Sequence, residues 1–109
     1  SEWEYENPPM QIGVEYRTTE RWQHKPLYTK AVDFGILPSS AIKTLGVGVY
    51  ATNIFRMELR ASNGSETFNE IGCAAYGGSL FFYENKICIR ANTDMSAFSG
   101  VVTIWYTKG

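Results

Sequence analysis

Apolar and polar side chains alternate with a period of two along most of this chain. The clearest run spans residues 13–38. Val14, Tyr16 and Thr18 alternate with Glu15, Arg17 and Thr19, and Leu27, Thr29, Ala31 and Asp33 alternate with Tyr28, Lys30, Val32 and Phe34. Alternate residues of a strand point to opposite faces, so both segments are predicted strands with one face on a core. Residues 22–26, Trp-Gln-His-Lys-Pro, read as the connection between them. Pro26 has no ladder donor and restricts Lys25 before it.

The same pattern continues downstream. Residues 41–50 are strand-like through Ile42, Leu45, Val47 and Val49, with Gly46 and Gly48 interrupting, and residues 51–53 read as a connection. Residues 54–62 set Phe55, Met57, Leu59 and Ala61 on an apolar face against Ile54, Arg56, Glu58 and Arg60. Asn63-Gly64 is a hairpin signal, followed by a return strand over 67–76. Strands over 79–83 and 86–91 flank a tight turn at Glu84-Asn85. A loop over 92–100, with at most one helical turn at 96–99, leads to a closing strand over 101–106. About eight short strands without a helical period predict an all-β fold, an antiparallel β-sandwich of jelly-roll-like type. Residues 1–12 break at Pro8-Pro9 and read as an N-terminal arm or edge strand. Residues 13–109 read as one sandwich domain.

Composition sharpens this picture at three points. With 44% apolar and 15% aromatic residues the chain has enough large side chains for a core. Ten Lys plus Arg against eleven Asp plus Glu predict no phosphate-seeking basic surface, hence no nucleic-acid partner. No apolar run is long enough for a membrane helix, so no membrane insertion is expected. The acidic start (Glu2, Glu4, Glu6) does not read as a signal peptide. Cys73 and Cys88 are too few for a disulfide framework. They fall on strands either side of the one over 79–83, and a meander of those three would hold the sulfurs apart as reduced, buried thiols.

The residues that carry chemistry are sparse. His24 is the one histidine and stands beside Lys25-Pro26, a usual setting for a surface residue. The cysteines have no histidine cluster with zinc spacing, so no metal and no cofactor are expected. Asp33, Glu58, Glu70, Glu84 and Asp94 could in principle pair as acid and base, but Glu58 and Glu70 fall on charged strand faces. No catalytic residue is assigned and the chain does not read as an enzyme. Asn63-Gly64-Ser65 fits a glycosylation acceptor, although the hairpin explains it as well. Binding remains. Trp22, Tyr28, Tyr50, Tyr76, Tyr83 and Trp105 fall near strand ends, where each ring is either core or a platform for the apolar face of a sugar. The candidate ligand-binding residues are Trp22, His24, Tyr50, Asn53, Tyr76 and Tyr83.

Four segments carry a family resemblance. Asn7-Pro-Pro-Met10, Gly13-Val-Glu-Tyr-Arg-Thr-Thr-Glu-Arg-Trp22, Lys25-Pro-Leu-Tyr-Thr-Lys30 with Phe34-Gly-Ile-Leu-Pro38, and the ending Val102-Thr-Ile-Trp-Tyr-Thr-Lys108 together resemble the C-terminal region of tail-fibre and tail-spike-like proteins of phages and prophages of Gram-positive and gut bacteria. His24 stands where glycine is usual and Leu27 where valine is usual. The resemblance covers both ends of the chain and leaves residues 50–100 unmatched. It implies a virion component made in the bacterial cytoplasm: the distal head of a homotrimeric tail fibre, docking on a host cell-surface polysaccharide or protein. It carries no catalytic residues. An alternative of a different class is a purely structural fibre trimerisation and assembly domain with no external ligand. A third reading, a glycan-cleaving appendage, requires two carboxylates facing each other across a groove.

Overall fold

The computed structural model describes residues 3–69 and 78–108. Among them are nine strands: β1 (Glu4–Tyr5), β2 (Glu15–Trp22), β3 (Lys25–Ile36), β4 (Ile42–Gly46), β5 (Asn53–Ser62), β6 (Thr67–Phe68), β7 (Gly78–Tyr83), β8 (Lys86–Ala91) and β9 (Ser99–Thr107). They form a six-stranded sheet in the order β1-β2-β3-β9-β5-β6 and a three-stranded sheet in the order β4-β8-β7. Every pairing is antiparallel except β1 with β2. The chain is an all-β sandwich, as the alternation predicts.

The core lies between the sheets. Tyr28, Val32 and Phe34 of β3, Leu59 and Ala61 of β5, and Val102, Ile104 and Tyr106 of β9 meet Ile87, Ile89 and Ala91 of β8. Leu45, Leu80 and Phe82 pack against this cluster from the flanking strands. β3 is buried on both faces, since Leu27, Thr29 and Ala31 are also inaccessible. The Thr29 hydroxyl in the interior donates to the Ile104 carbonyl at 3.0 Å, so it is not left unpaired. β9 lies between β3 and β5 and is hydrogen-bonded to both, so the last strand closes pairings with segments far upstream.

Several expectations change. The connection at 22–26 is a two-residue turn: Trp22 pairs with Lys25 across Gln23 and His24, which both have positive φ. That is the primed hairpin geometry whose twist matches the strands. Pro26 is tolerated inside β3 because β9 pairing starts only at Tyr28. The strand over 41–50 shortens to β4, β5 begins at Asn53, and β9 begins at Ser99. The possible helical turn is a β-turn in which Phe98 N–H donates to Met95 at 3.0 Å. Of the return strand over 67–76, β6 is described and residues 70–76 lie outside the described residues, Cys73 among them. Cys88 is free and buried. It lies on β8, which pairs with both β4 and β7; the strand expected to carry Cys73 on the other side of 79–83 lies outside the described residues.

The alternation over 54–62 fails at its first residues. Ile54 is opposite Tyr106 while Arg56 is opposite Trp105, so Phe55 is an extra residue in a β-bulge. Beyond the bulge Met57, Leu59 and Ala61 face the core as expected, but Ile54 packs against it too and Phe55 is turned outward, 45% exposed. A second bulge sets Phe34 between Asp33 and Gly35, where Gly35 takes φ 78° and its N–H is capped by Asp33.

The bulge yields a clean contrast in stability. Leu59→Ala should cost about 2–5 kcal/mol in denaturant unfolding, and Phe55→Ala about 1 kcal/mol or less. Equal costs would mean that the register runs unbroken through residue 55.

Candidate functional site

The topology brings three connections to one end of the sandwich. In the large sheet this is the end where β2 turns into β3, β5 begins and β9 finishes. In the small sheet it is the end where β4 finishes and β7 turns into β8. The segment 47–52 joins the two. Asn85 in the β7–β8 turn ties it down: its side-chain amide donates to Val49 O at 2.7 Å and its oxygen accepts from Ala51 N–H at 3.1 Å. Thr52 N–H then donates to Thr107 O at 2.9 Å. Asn85 has φ 60°, a left-handed conformation that Asn adopts more readily than most residues.

Five of the six candidate residues lie at this end. Trp22 is half-buried at the close of β2, His24 is exposed in the turn, and Asn53 is exposed opposite Thr107. Tyr50 is 77% exposed and Tyr83, at the close of β7, is 63% exposed. Neither tyrosine belongs to the core. Tyr76 lies outside the described residues. Tyr28, by contrast, is buried, with its ring edge-on to Tyr106 at 6.2 Å.

The outer face of the large sheet adds rings that strand patterning hides. Phe55, lifted out by its bulge, stands 6.2 Å from Trp22 at a 56° tilt. One row inward, the Arg56 guanidinium lies 4.0 Å from the Trp105 ring centre, a cation–π arrangement. The one sign of the bulge in the sequence is the adjacent apolar pair Ile54-Phe55 at the start of an otherwise alternating run.

The inner face at the same end is polar. Lys108 pairs with Glu15 and lies 4.3 Å over the Tyr28 ring, and the Tyr106 hydroxyl donates to the other oxygen of Glu15. Lys25, Pro26, Tyr28 and Lys108 line a cleft of about 230 Å³. On the neighbouring edge Glu4 accepts from Arg21 at 2.9 Å and lies 3.7 Å from Arg17 Nε. The Arg21 hydrogen bond holds the Glu4 carboxyl below its ordinary range, with the charges of Arg21 and Arg17 adding to it. Two buried polar atoms lack a hydrogen-bond partner among the described residues, Arg17 Nε and Thr107 Oγ1. Both belong to this end of the large sheet.

The other carboxylates have local roles. Asp33 caps Gly35, Glu58 pairs with Arg56, and Asp94 accepts from the Ser96 hydroxyl and N–H, which lowers its pKa. Glu84 is exposed in its turn and Glu70 lies outside the described residues. Among the described residues no group of three or more His, Cys, Asp or Glu could hold a metal. No helix among them is long and apolar enough to cross a membrane. Comparison with protein-family models, with curated proteins and with solved structures finds no match.

Two outcomes follow. His24 sits at φ 66°, so His24→Gly should stabilise the fold by about 1 kcal/mol in thermal or denaturant unfolding. A loss of stability would mean that the imidazole makes a contact worth more than the strain. The depressed Glu4 pKa favours the docked arm fully above the ordinary carboxylate range, and that support is lost as pH falls through the depressed value. The protection factors of the Glu4 and Tyr5 amides should therefore fall on acidification, and Glu4→Gln should show low protection factors at every pH. Protection that persists in acid would show that the arm is held by something else.

Proposed function

We propose that this chain is the head domain of a phage tail fibre, acting in a homotrimer, that binds a bacterial surface receptor, a glycan, through the end of the sandwich built by the β2–β3 turn, the 47–52 segment and the β7–β8 turn. The observation that carries this reading is the gathering of Trp22, His24, Tyr50, Asn53 and Tyr83 at that end, with Tyr50 and Tyr83 largely exposed. Folding gains little from a ring left in water, whereas a pyranose offers apolar C–H faces to stack on it and a rim of hydroxyls for Asn53 and His24. Phe55 and Trp22 extend the platform onto the outer face of the sheet. The family resemblance supplies the host-attachment setting and the trimer.

The alternative, a fibre-assembly domain without an external ligand, draws on the opposite end, where Ile36 is 61% and Ile42 55% exposed. The two readings separate in one experiment. Trp22→Ala, Tyr50→Ala and Tyr83→Ala, built into the full fibre, should each weaken adsorption to receptive cells by about tenfold or more without changing the oligomer seen by light scattering. Unchanged adsorption by folded variants, with trimers lost on Ile36→Asp or Ile42→Asp, would favour assembly instead.

A further inference from the structure

Asn63-Gly64 is the one place in the chain where glycine follows asparagine. The other asparagines precede Pro8, Ile54, Glu70, Lys86 and Thr93. An asparagine amide carbon is an electrophile close to the peptide nitrogen that follows it, and a Cβ on the following residue hinders that nitrogen; glycine has none. The pair forms the β5–β6 turn, at the end of the sandwich away from the proposed binding surface, where Asn63 N–H donates to Glu66 O at 3.1 Å. Residues 63–67 are exposed, Gly64 has φ 97°, and an added Cβ there would meet nothing within 4 Å. Water therefore reaches the peptide freely.

The hydrogen bonds of the turn suit a ring closure. Asn63 Oδ1 accepts from Ser65 N–H at 2.9 Å and from Glu66 N–H at 2.7 Å, an Asx turn that folds the side chain back over the peptide following it. Those donors face the oxygen on which negative charge gathers when a nucleophile adds to Cγ, as in an oxyanion hole. Gly64 N–H donates to Ser62 Oγ at 3.1 Å, so the proton that the nitrogen must lose already has an acceptor. A hairpin needs only the Oδ1 bonds; the Ser62 acceptor and the unhindered nitrogen supply the rest of what cyclisation requires. Asn85 is held differently, by Val49 and Ala51 across the molecule.

We infer that Asn63 is a site of spontaneous succinimide formation, a self-modification promoted by the folded turn. The Gly64 nitrogen bonds to Asn63 Cγ, and its proton passes by way of the Ser62 hydroxyl to the departing amide nitrogen. The Cγ–Nδ2 bond breaks and ammonia leaves. Water then opens the ring at either carbonyl, giving aspartate or isoaspartate, with no change of oxidation state. Aspartate keeps an oxygen for the Ser65 and Glu66 N–H groups, so the turn persists. Isoaspartate inserts a methylene into the main chain and breaks the pairing of Ser62 with Thr67 and of Ala61 with Phe68. Phe68 stands 5.0 Å from the Phe98 ring and packs on the core, so this product loosens the β6 edge of the large sheet.

The test incubates the full chain at mildly alkaline pH, once folded and once unfolded in urea, and follows every asparagine by peptide mapping with mass spectrometry. Asn63 should convert at least as fast in the folded chain as in urea, with isoaspartate detected by isoaspartyl methyltransferase, while the other asparagines of the folded chain stay intact. Ser62→Ala should slow the folded-state conversion about tenfold or more and leave the rate in urea unchanged. Ser62→Thr keeps the hydroxyl and should convert at the parent rate, which separates proton transfer from a fold defect in Ser62→Ala. Fresh Asn63→Asp should keep the unfolding midpoint, so that a lowered midpoint in the aged chain reports isoaspartate. Conversion about tenfold slower in the folded chain than in urea would show that the turn protects Asn63 and would overturn the proposal. Ser62→Ala converting at the parent rate, or Ser62→Thr slowed as much as Ser62→Ala, would overturn it as well.

Discussion

The antiparallel pairing of β3 with β9 is the constraint on which the rest of the sandwich depends. β3 is buried on both faces, and β9 is its neighbour on one side and that of β5 on the other. Side chains of this pair, Tyr28, Val32, Phe34, Val102, Ile104 and Tyr106, make up much of the core into which β8 packs. Because β9 lies far downstream of β3 in sequence, the sheet is completed by long-range contacts, which cost loop-closure entropy before burial repays it. The Thr29 to Ile104 hydrogen bond shows how tightly the register is held: a slip of one residue would turn Tyr106 and Ile104 outward and strand that hydroxyl.

That register also decides what the proposed binding end looks like. It sets Asn53 opposite Thr107 and the β2–β3 turn at the same end. Local departures from regularity then do the shaping. The bulge at Phe55 turns a would-be core ring toward Trp22, the left-handed Gln23-His24 pair makes the turn tight enough to project His24, and Asn85 locks the segment that carries Tyr50. Bulges and left-handed non-glycine residues are costly for folding alone, and they concentrate where a protein presents a surface.

The alternating runs made the all-β class and most strand positions legible, because a period of two reports directly on a buried face. Residues 15–18, 27–34 and 86–91 kept their strands, while Val14 falls before β2. The failures share a physical cause. A bulge adds one residue without changing composition, and the alternation from Arg56 onward extrapolates back to place Phe55 on the core face despite the adjacent apolar Ile54. A two-residue turn of Gln and His lacks the usual Asn-Gly signature, so the hairpin looks like a longer connection. Strand order is a non-local property, which is why the central place of β8 was not visible. The aromatic candidates were legible because a tyrosine beside a turn signal, as at Tyr83, has few ways to be buried.

The central claim is that the end bearing the β2–β3 and β7–β8 turns is the ligand-binding surface. Residue-resolved NMR during titration with polysaccharide extracted from receptive cells tests it most directly. Shift changes should concentrate at the Trp22 indole, His24, Lys25, Tyr50, Asn53 and Tyr83, with residues 37–42 and 92–98 unaffected. Changes confined to that opposite end, or spread evenly over the sheet faces, would contradict it.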